Sequence, residues 1–184
     1  MKKRILLFIG ILWTGLSVNV FAQSVENTSD TDTTYRLSTG DSISVTVFDE
    51  PELGLKEAQI TDEGTISVPL LGQVVVQGKT VPEVEALLTK LFGDDYLKKP
   101  SVSVSIAEYR PFYINGEVKK PGSYPFRTKM TVQIAVTIAG GFTERASKSN
   151  IYLLNQAQNS ERKKVDLNAT VKPGDVITVE ESFF

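Results

Sequence analysis

Apolar and polar positions alternate along much of the chain. Ile43, Val45 and Val47 alternate with Ser42, Ser44 and Thr46, the two-residue period of a strand with one buried face. Gly40-Asp41 before them is a turn signal, and Asp49-Glu50-Pro51 ends the run because proline cannot donate to a ladder. Gln59–Val68 is expected to form a hairpin around Asp62-Glu63-Gly64 and to be closed by Pro69. A short strand over Gln73–Gln77 follows. The period then changes. Val84, Leu87, Leu88 and Leu91 recur at helical spacing after Thr80, with Glu83 at the capping-box position, which predicts a helix over Thr80–Phe92 stopped by Gly93. Val102, Val104 and Ile106 restore the alternation over Ser101–Tyr109, and Arg110-Pro111 breaks it.

Beyond Pro111 the pattern predicts a strand over Phe112–Val118, a turn at Lys119–Gly122 containing Pro121, and a second strand from Tyr124. Thr131 can cap a helix over Val132–Ala139 that ends at Gly140-Gly141. Strands are expected at Ile151–Leu154, at Lys163–Leu167 and, after Lys172-Pro173-Gly174-Asp175, at Val176–Val179; the polar loop around Gln156–Glu161 joins the first two. That order predicts an α+β unit with one helix on a mixed sheet. Gly40-Asp41-Ser42-Ile43-Ser44-Val45 and Gly174-Asp175-Val176-Ile177-Thr178-Val179 share the form Gly-Asp-x-Ile-x-Val. This echo is read as common turn chemistry and not as a domain repeat.

The first residues do not belong to the fold. Lys2, Lys3 and Arg4 precede an apolar run from Ile5 to Leu16, and Val20-Phe21-Ala22 offers a cleavage site, so residues 1–22 read as a secretory signal peptide cut after Ala22. An uncleaved anchor is the alternative, and the run is short for a bilayer. Residues 23–34 lack a periodic pattern and read as a flexible leader. Cleavage removes three of the 20 basic residues and none of the 22 acidic ones. The resulting acidic chain argues against nucleic acid as a partner. With no cysteine the chain has neither disulfides nor a lipidated cysteine, so it is not expected to be a lipoprotein. With no histidine it lacks the commonest general base and transition-metal ligand.

Little else suggests catalysis. The acidic pairs Asp49-Glu50, Asp62-Glu63, Asp94-Asp95 and Glu180-Glu181 fall at predicted turns or near the terminus, and neighbours in a strand point to opposite faces. Gly140-Gly141 follows a helix, whereas a phosphate loop precedes one. No enzymatic centre, cofactor or metal site is therefore expected. Tyr109, Phe112, Tyr113, Tyr124 and Phe126 cluster around the 110/111 boundary and read as exposed candidate contacts to polymer or to a neighbouring subunit, because aromatic rings stack on sugars and anchor interfaces; the alternative from strand alternation is that half or more of them are core. Gly40, Asp41, Gly116, Pro121, Gly122, Gly140, Gly141, Gly174 and Asp175 are read as structural turns.

Taken in order, Tyr35–Val45, Asp62–Gly72, the capped helix and Pro100–Val104 resemble the polysaccharide export domain of bacterial outer-membrane polysaccharide export proteins, the Wza-like family. Tyr113–Phe126, Ala139-Gly140-Gly141 and Pro173–Val179 resemble its SLBB domain, a β-grasp-like module. The resemblance implies a small mixed sheet with one helix over 35–110 and a β-grasp-like domain over 111–184. It implies a periplasmic, non-catalytic ring of identical subunits that passes polysaccharide and docks on an inner-membrane co-polymerase or chain-length regulator. Because the chain stops at Phe184 after one SLBB-like domain, it is expected to borrow a separate outer-membrane β-barrel rather than span that membrane. The alternative is a periplasmic carbohydrate-binding module that forms no conduit.

Overall fold

The computed structural model describes residues 34–155 and 161–182. The expected signal peptide, the leader up to residue 33 and residues 156–160 of the polar loop lie outside them.

Two apolar cores organise the described residues. The first lies under a three-stranded antiparallel sheet in which β1 (Ser42–Val47) is central, flanked by β2 (Leu55–Gln59) and β5 (Val102–Glu108). Ile43, Val45, Val47, Val102 and Val104 point into this core, as the alternation requires. A hairpin of β3 (Thr65–Val68) and β4 (Gly72–Val75) adds Ile66, Val68 and Val74. The helix α1 (Val81–Asp95) closes the core with Val84, Leu88 and Phe92. Its capping box is formed: the Glu83 backbone N–H donates to Thr80 Oγ1 at 3.4 Å, and the Thr80 N–H donates to Glu83 Oε2 at 2.8 Å. These bonds to the first turn hold the Glu83 carboxyl below its ordinary value.

Three expectations for this lobe are corrected. The turn at Asp62–Gly64 exists, but it does not close a hairpin. β2 pairs with β1, and β3 turns back at Pro69–Leu71 to pair with β4. The sheet is antiparallel throughout rather than mixed, since β1 meets both neighbours head to tail. Gly93 does not stop α1, which runs on to Asp95. Phe92 is fully buried, and Gly93 is not among the glycines with left-handed backbone, the conformation a glycine stop requires.

The second core lies under a five-stranded mixed sheet. It is built from β6 (Phe112–Gly116), β7 (Gly122–Tyr124), β8 (Ala146–Asn155), β9 (Lys163–Val165) and β10 (Asp175–Glu181), in the order β7-β6-β10-β8-β9. The last strand, β10, lies parallel to β6 at the centre, which is the β-grasp arrangement. The short helix α2 (Val132–Ile138) buries Val132, Ala135 and Val136, and Thr131 caps it as expected. The α+β class and the helix-on-mixed-sheet layout hold. The sequence underestimates β8, whose first half includes the polar run Ser147–Asn150.

Candidate functional site: the junction of the two lobes

Of the candidate residues, Gly40, Asp41, Tyr109, Phe126 and Gly174 come together where the two lobes meet. Gly40 and Gly174 both have left-handed backbone, with φ of 87° and 80°. In each Gly-Asp turn the aspartate backbone N–H donates to the carbonyl three residues back, Ser38 in one and Lys172 in the other, at 3.1 Å. In each, the aspartate Oδ2 accepts from the backbone N–H of that same residue, at 2.8 Å for Ser38 and 2.7 Å for Lys172. The sequence echo is therefore a shared local structure, although it repeats a turn and not a domain.

Both turns press on Arg110, which the sequence marks only as a strand breaker. Its backbone N–H donates to Asp41 Oδ1 at 2.9 Å, and its Nη1 reaches Asp41 Oδ2 at 3.2 Å and the Tyr35 hydroxyl at 2.9 Å. Tyr35 in turn donates to Asp41 Oδ2 at 2.7 Å. Burial, with the Asp41 carboxylate beside it, pushes the Tyr35 hydroxyl far above its ordinary value, so it remains a donor. On the other side of Arg110, a Cβ added to Gly174 would lie 2.5 Å from Nε, so only glycine leaves room for the guanidinium there. The Gly174 N–H also donates to the Pro111 carbonyl at 3.1 Å.

The aromatics separate into three groups. Tyr35, Tyr109 and Phe126 form an edge-to-face column, with ring centroids 5.1 and 5.4 Å apart, and its ends pack against the first and second cores. Phe112 is fully buried and stacks on the half-buried Tyr124 at 5.9 Å, so Phe112 offers no surface to a ligand; reading it as exposed is corrected here. Strand alternation sends it inward and its neighbour Tyr113 outward. Tyr113 is the most exposed of the five, at 41%.

The remaining turn residues join two sequence features into one structure. Backbone N–H groups of Lys119 and Lys120, in the turn before the exposed Pro121 and Gly122, donate to the carbonyls of Gly141 and Ala139 at the end of α2. Gly140 and Gly141 carry the left-handed backbone that the helix stop needs. Gly116 is glycine for another reason: a Cβ there would lie 2.0 Å from the Val179 carbonyl oxygen of β10.

Two of the acidic pairs have structural places. Glu180 and Glu181 sit on opposite sides of β10 and pair with Arg162 and Arg145 respectively. Asp94 and Asp95 belong to the last turn of α1 rather than to a turn beyond it. Among the described residues no group of three or more acidic side chains could hold a metal ion. No helix among them is long and apolar enough to cross a membrane, which does not bear on strands.

Residues 29–107 match the family described as polysaccharide biosynthesis/export protein, and residues 111–166 match the SLBB domain. The chain thus carries a polysaccharide export domain followed by an SLBB domain. Its relatives include the exopolysaccharide production protein ExoF of Rhizobium meliloti (strain 1021), 43% identical over 82 residues, covering 42% of this chain and 19% of ExoF. The EPS I polysaccharide export outer membrane protein EpsA of Ralstonia nicotianae (strain ATCC BAA-1114 / GMI1000) is 28% identical over 183 residues, covering 81% of this chain and 48% of EpsA. EpsA of Ralstonia solanacearum is 31% identical over 134 residues, covering 59% and 35%. The chain thus spans less than half the length of these relatives.

Proposed function

We propose that the chain serves bacterial polysaccharide export as a non-catalytic wall element, with a polysaccharide export domain over 35–110 and an SLBB domain over 111–184. In this reading it is secreted by cleavage after Ala22, works in the periplasm, and assembles side by side with copies of itself into a ring that conducts polymer. An inner-membrane co-polymerase delivers the polymer, and a separate outer-membrane β-barrel carries it out. The observation that supports this best is the junction. Arg110, Asp41 and the aromatic column tie both lobes into one body, which suits a load-bearing wall better than a hinged enzyme.

The free edges of β5, β7 and β9 offer little for side-by-side assembly. β7 and β9 are three residues long, β9 carries Lys163 and Lys164, and the outer N–H of Val104 on β5 is capped by Glu85 of α1 at 3.1 Å. The exposed pairs Leu70/Val75 on the hairpin and Ile134/Ile138 on α2 are the better subunit contacts.

The test is deletion of the gene and complementation. Loss of extracellular polysaccharide with the polymer retained in the cell, restored by the wild-type chain, is the expected result; unchanged secretion overturns the export reading. Cross-linking in the envelope should give a ladder ending at a closed oligomer, and a strictly monomeric chain overturns the ring.

A further inference from the structure

The five-stranded sheet has two unlike faces. The inward face is apolar, with Phe112, Ile114, Ile151, Ile177 and Val179 all buried. On the outward face Tyr113 and Asn115 are exposed, and Val176, Thr178, Tyr152 and Leu154 are half-buried. The register orders these six into two parallel rows. Tyr113, Val176 and Leu154 lie side by side across β6, β10 and β8. Two residues along, Asn115, Thr178 and Tyr152 lie side by side across the same strands. One row is an apolar bar, and the other is a line of amide and hydroxyl groups.

The second row ends in positive charge. Lys164 of β9 is opposite Tyr152 and donates to Asn150 at 2.8 Å, and Arg162 lies over the Tyr152 ring at 4.0 Å. Arg162 is paired with Glu180 at 2.7 Å. Lys164 and Lys148 line a shallow cleft of about 1000 Å³ at this edge, where the carboxylate among the lining side chains, Asp166, accepts the Asn168 backbone N–H. The rim therefore carries two lysines and an ion-paired arginine on a chain that is acidic overall.

We infer that this outward sheet face is a binding platform for a strand of acidic polysaccharide. A sugar ring has an apolar C–H face and a polar rim, which match a bar of Tyr113, Val176 and Leu154 flanked by hydrogen-bonding side chains. Strand spacing puts the Cα atoms of Tyr113 and Tyr152 about 12 Å apart, enough to engage more than one sugar unit. Carboxylate or other acidic substituents reach Lys164 and Lys148. A second copy of the chain fits less well, because the apolar bar is one residue wide and abuts polar and charged groups, whereas interface cores are depleted of charge. The inference rests on the export reading for the class of ligand but is independent of the ring.

Affinity electrophoresis of the full chain through gels containing extracellular polysaccharide from the producing organism tests it. The polymer is used native and with its carboxylates reduced to alcohols. The native polymer should retard the wild type, and carboxyl reduction or high salt should weaken the effect. Tyr113→Ala should weaken binding roughly three- to tenfold, while Tyr113→Phe, which keeps the ring, should not. Lys148→Ala/Lys164→Ala should remove the salt dependence, and Gln59→Ala on the exposed side of β2 should change nothing. Equal retardation of the wild type and all variants overturns the platform. So does a Tyr113→Ala effect confined to oligomer mass in light scattering, which makes the face a subunit contact. Retardation by the carboxyl-reduced polymer equal to that by the native one overturns the acidic specificity. A deletion strain that still secretes polymer sinks the export reading and leaves these binding results standing; full loss of secretion with unaltered binding by the variants does the reverse.

Discussion

The two Gly-Asp turns start from the same residue pattern and the same backbone geometry, yet they do different work. Asp41 has no exposed surface and receives four hydrogen bonds, two of them from Arg110, whose guanidinium balances its charge. Asp175 is as deeply buried but receives only the Lys172 N–H and the Asn155 amide, at 2.7 and 2.6 Å. Burial raises the Asp175 carboxyl above its ordinary value, and these two hydrogen bonds and nearby Lys172 and Arg110 offset this only in part. The same pattern thus gives a charge-paired clasp in the first lobe and a poorly compensated carboxylate in the second. A turn motif sets backbone geometry; what its side chain does depends on which lobe supplies the counter-charge.

The largest expected effect comes from breaking the clasp. Asp41→Asn leaves the Arg110 guanidinium without its partner and converts an acceptor oxygen into a donor facing other donors. It should cost about 3 kcal/mol in chemical denaturation, the lower end for breaking a buried pair because Arg110 is 15% exposed. A loss under 1 kcal/mol would erase the contrast with Asp175. Next is Gly174→Ala, which combines left-handed backbone with displacement of Arg110. About 2 kcal/mol is expected, against about 1 for Gly40→Ala, where the nearest atom to the new Cβ is Arg110 Cβ at a tolerable 3.4 Å. Equal costs would mean that Arg110 is not wedged against the second turn. Tyr35→Phe removes one donor to Asp41 and should cost about 1 kcal/mol by thermal unfolding, leaving the edge-to-face column intact.

How much of this was readable in the sequence depends on the residue. β1 and β5 announce themselves because Ile43–Val47 and Val102–Ile106 alternate over a single buried face, and α1 because Thr80 and Glu83 both cap and Val84, Leu88 and Phe92 all bury. β2 is not legible in the sequence because Leu55–Gln59 is an edge strand with no fully buried residue and hence no alternation to read. Its absence misassigned the partner of β3. The five aromatics are close in sequence, but that proximity does not separate Phe112 in the core from Tyr113 in solvent without fixing the strand register. The role of Arg110 is not legible because it depends on contacts between residues far apart in sequence. The available signal was the Gly-Asp echo itself, with one arginine between the two copies, yet nothing in the sequence shows that both turns face it.

The smallest expected effect is also the most specific to the comparison. Because the carboxyl of Asp175 is raised in the folded chain, the folded state holds its proton at pH values where the unfolded chain, near pH 4, has already released it. Its contribution to stability is therefore greatest below the unfolded value, falls as pH rises through the raised folded value, and is flat above it. Asp175→Asn removes this slope. The new side chain can still accept the Lys172 N–H through its oxygen, and its amide can meet Asn155, whose buried Oδ1 lacks a partner. At neutral pH the variant should lie within about 1 kcal/mol of wild type, on either side, because a deionised residue no longer bears the cost of burying charge while one acceptor is lost. Denaturation followed from pH 4 to pH 7 reads the difference directly: wild-type stability relative to the variant should decline across that interval. A constant or rising difference would mean that Asp175 is compensated as fully as Asp41, and the two turns would then be alike in chemistry as well as in shape.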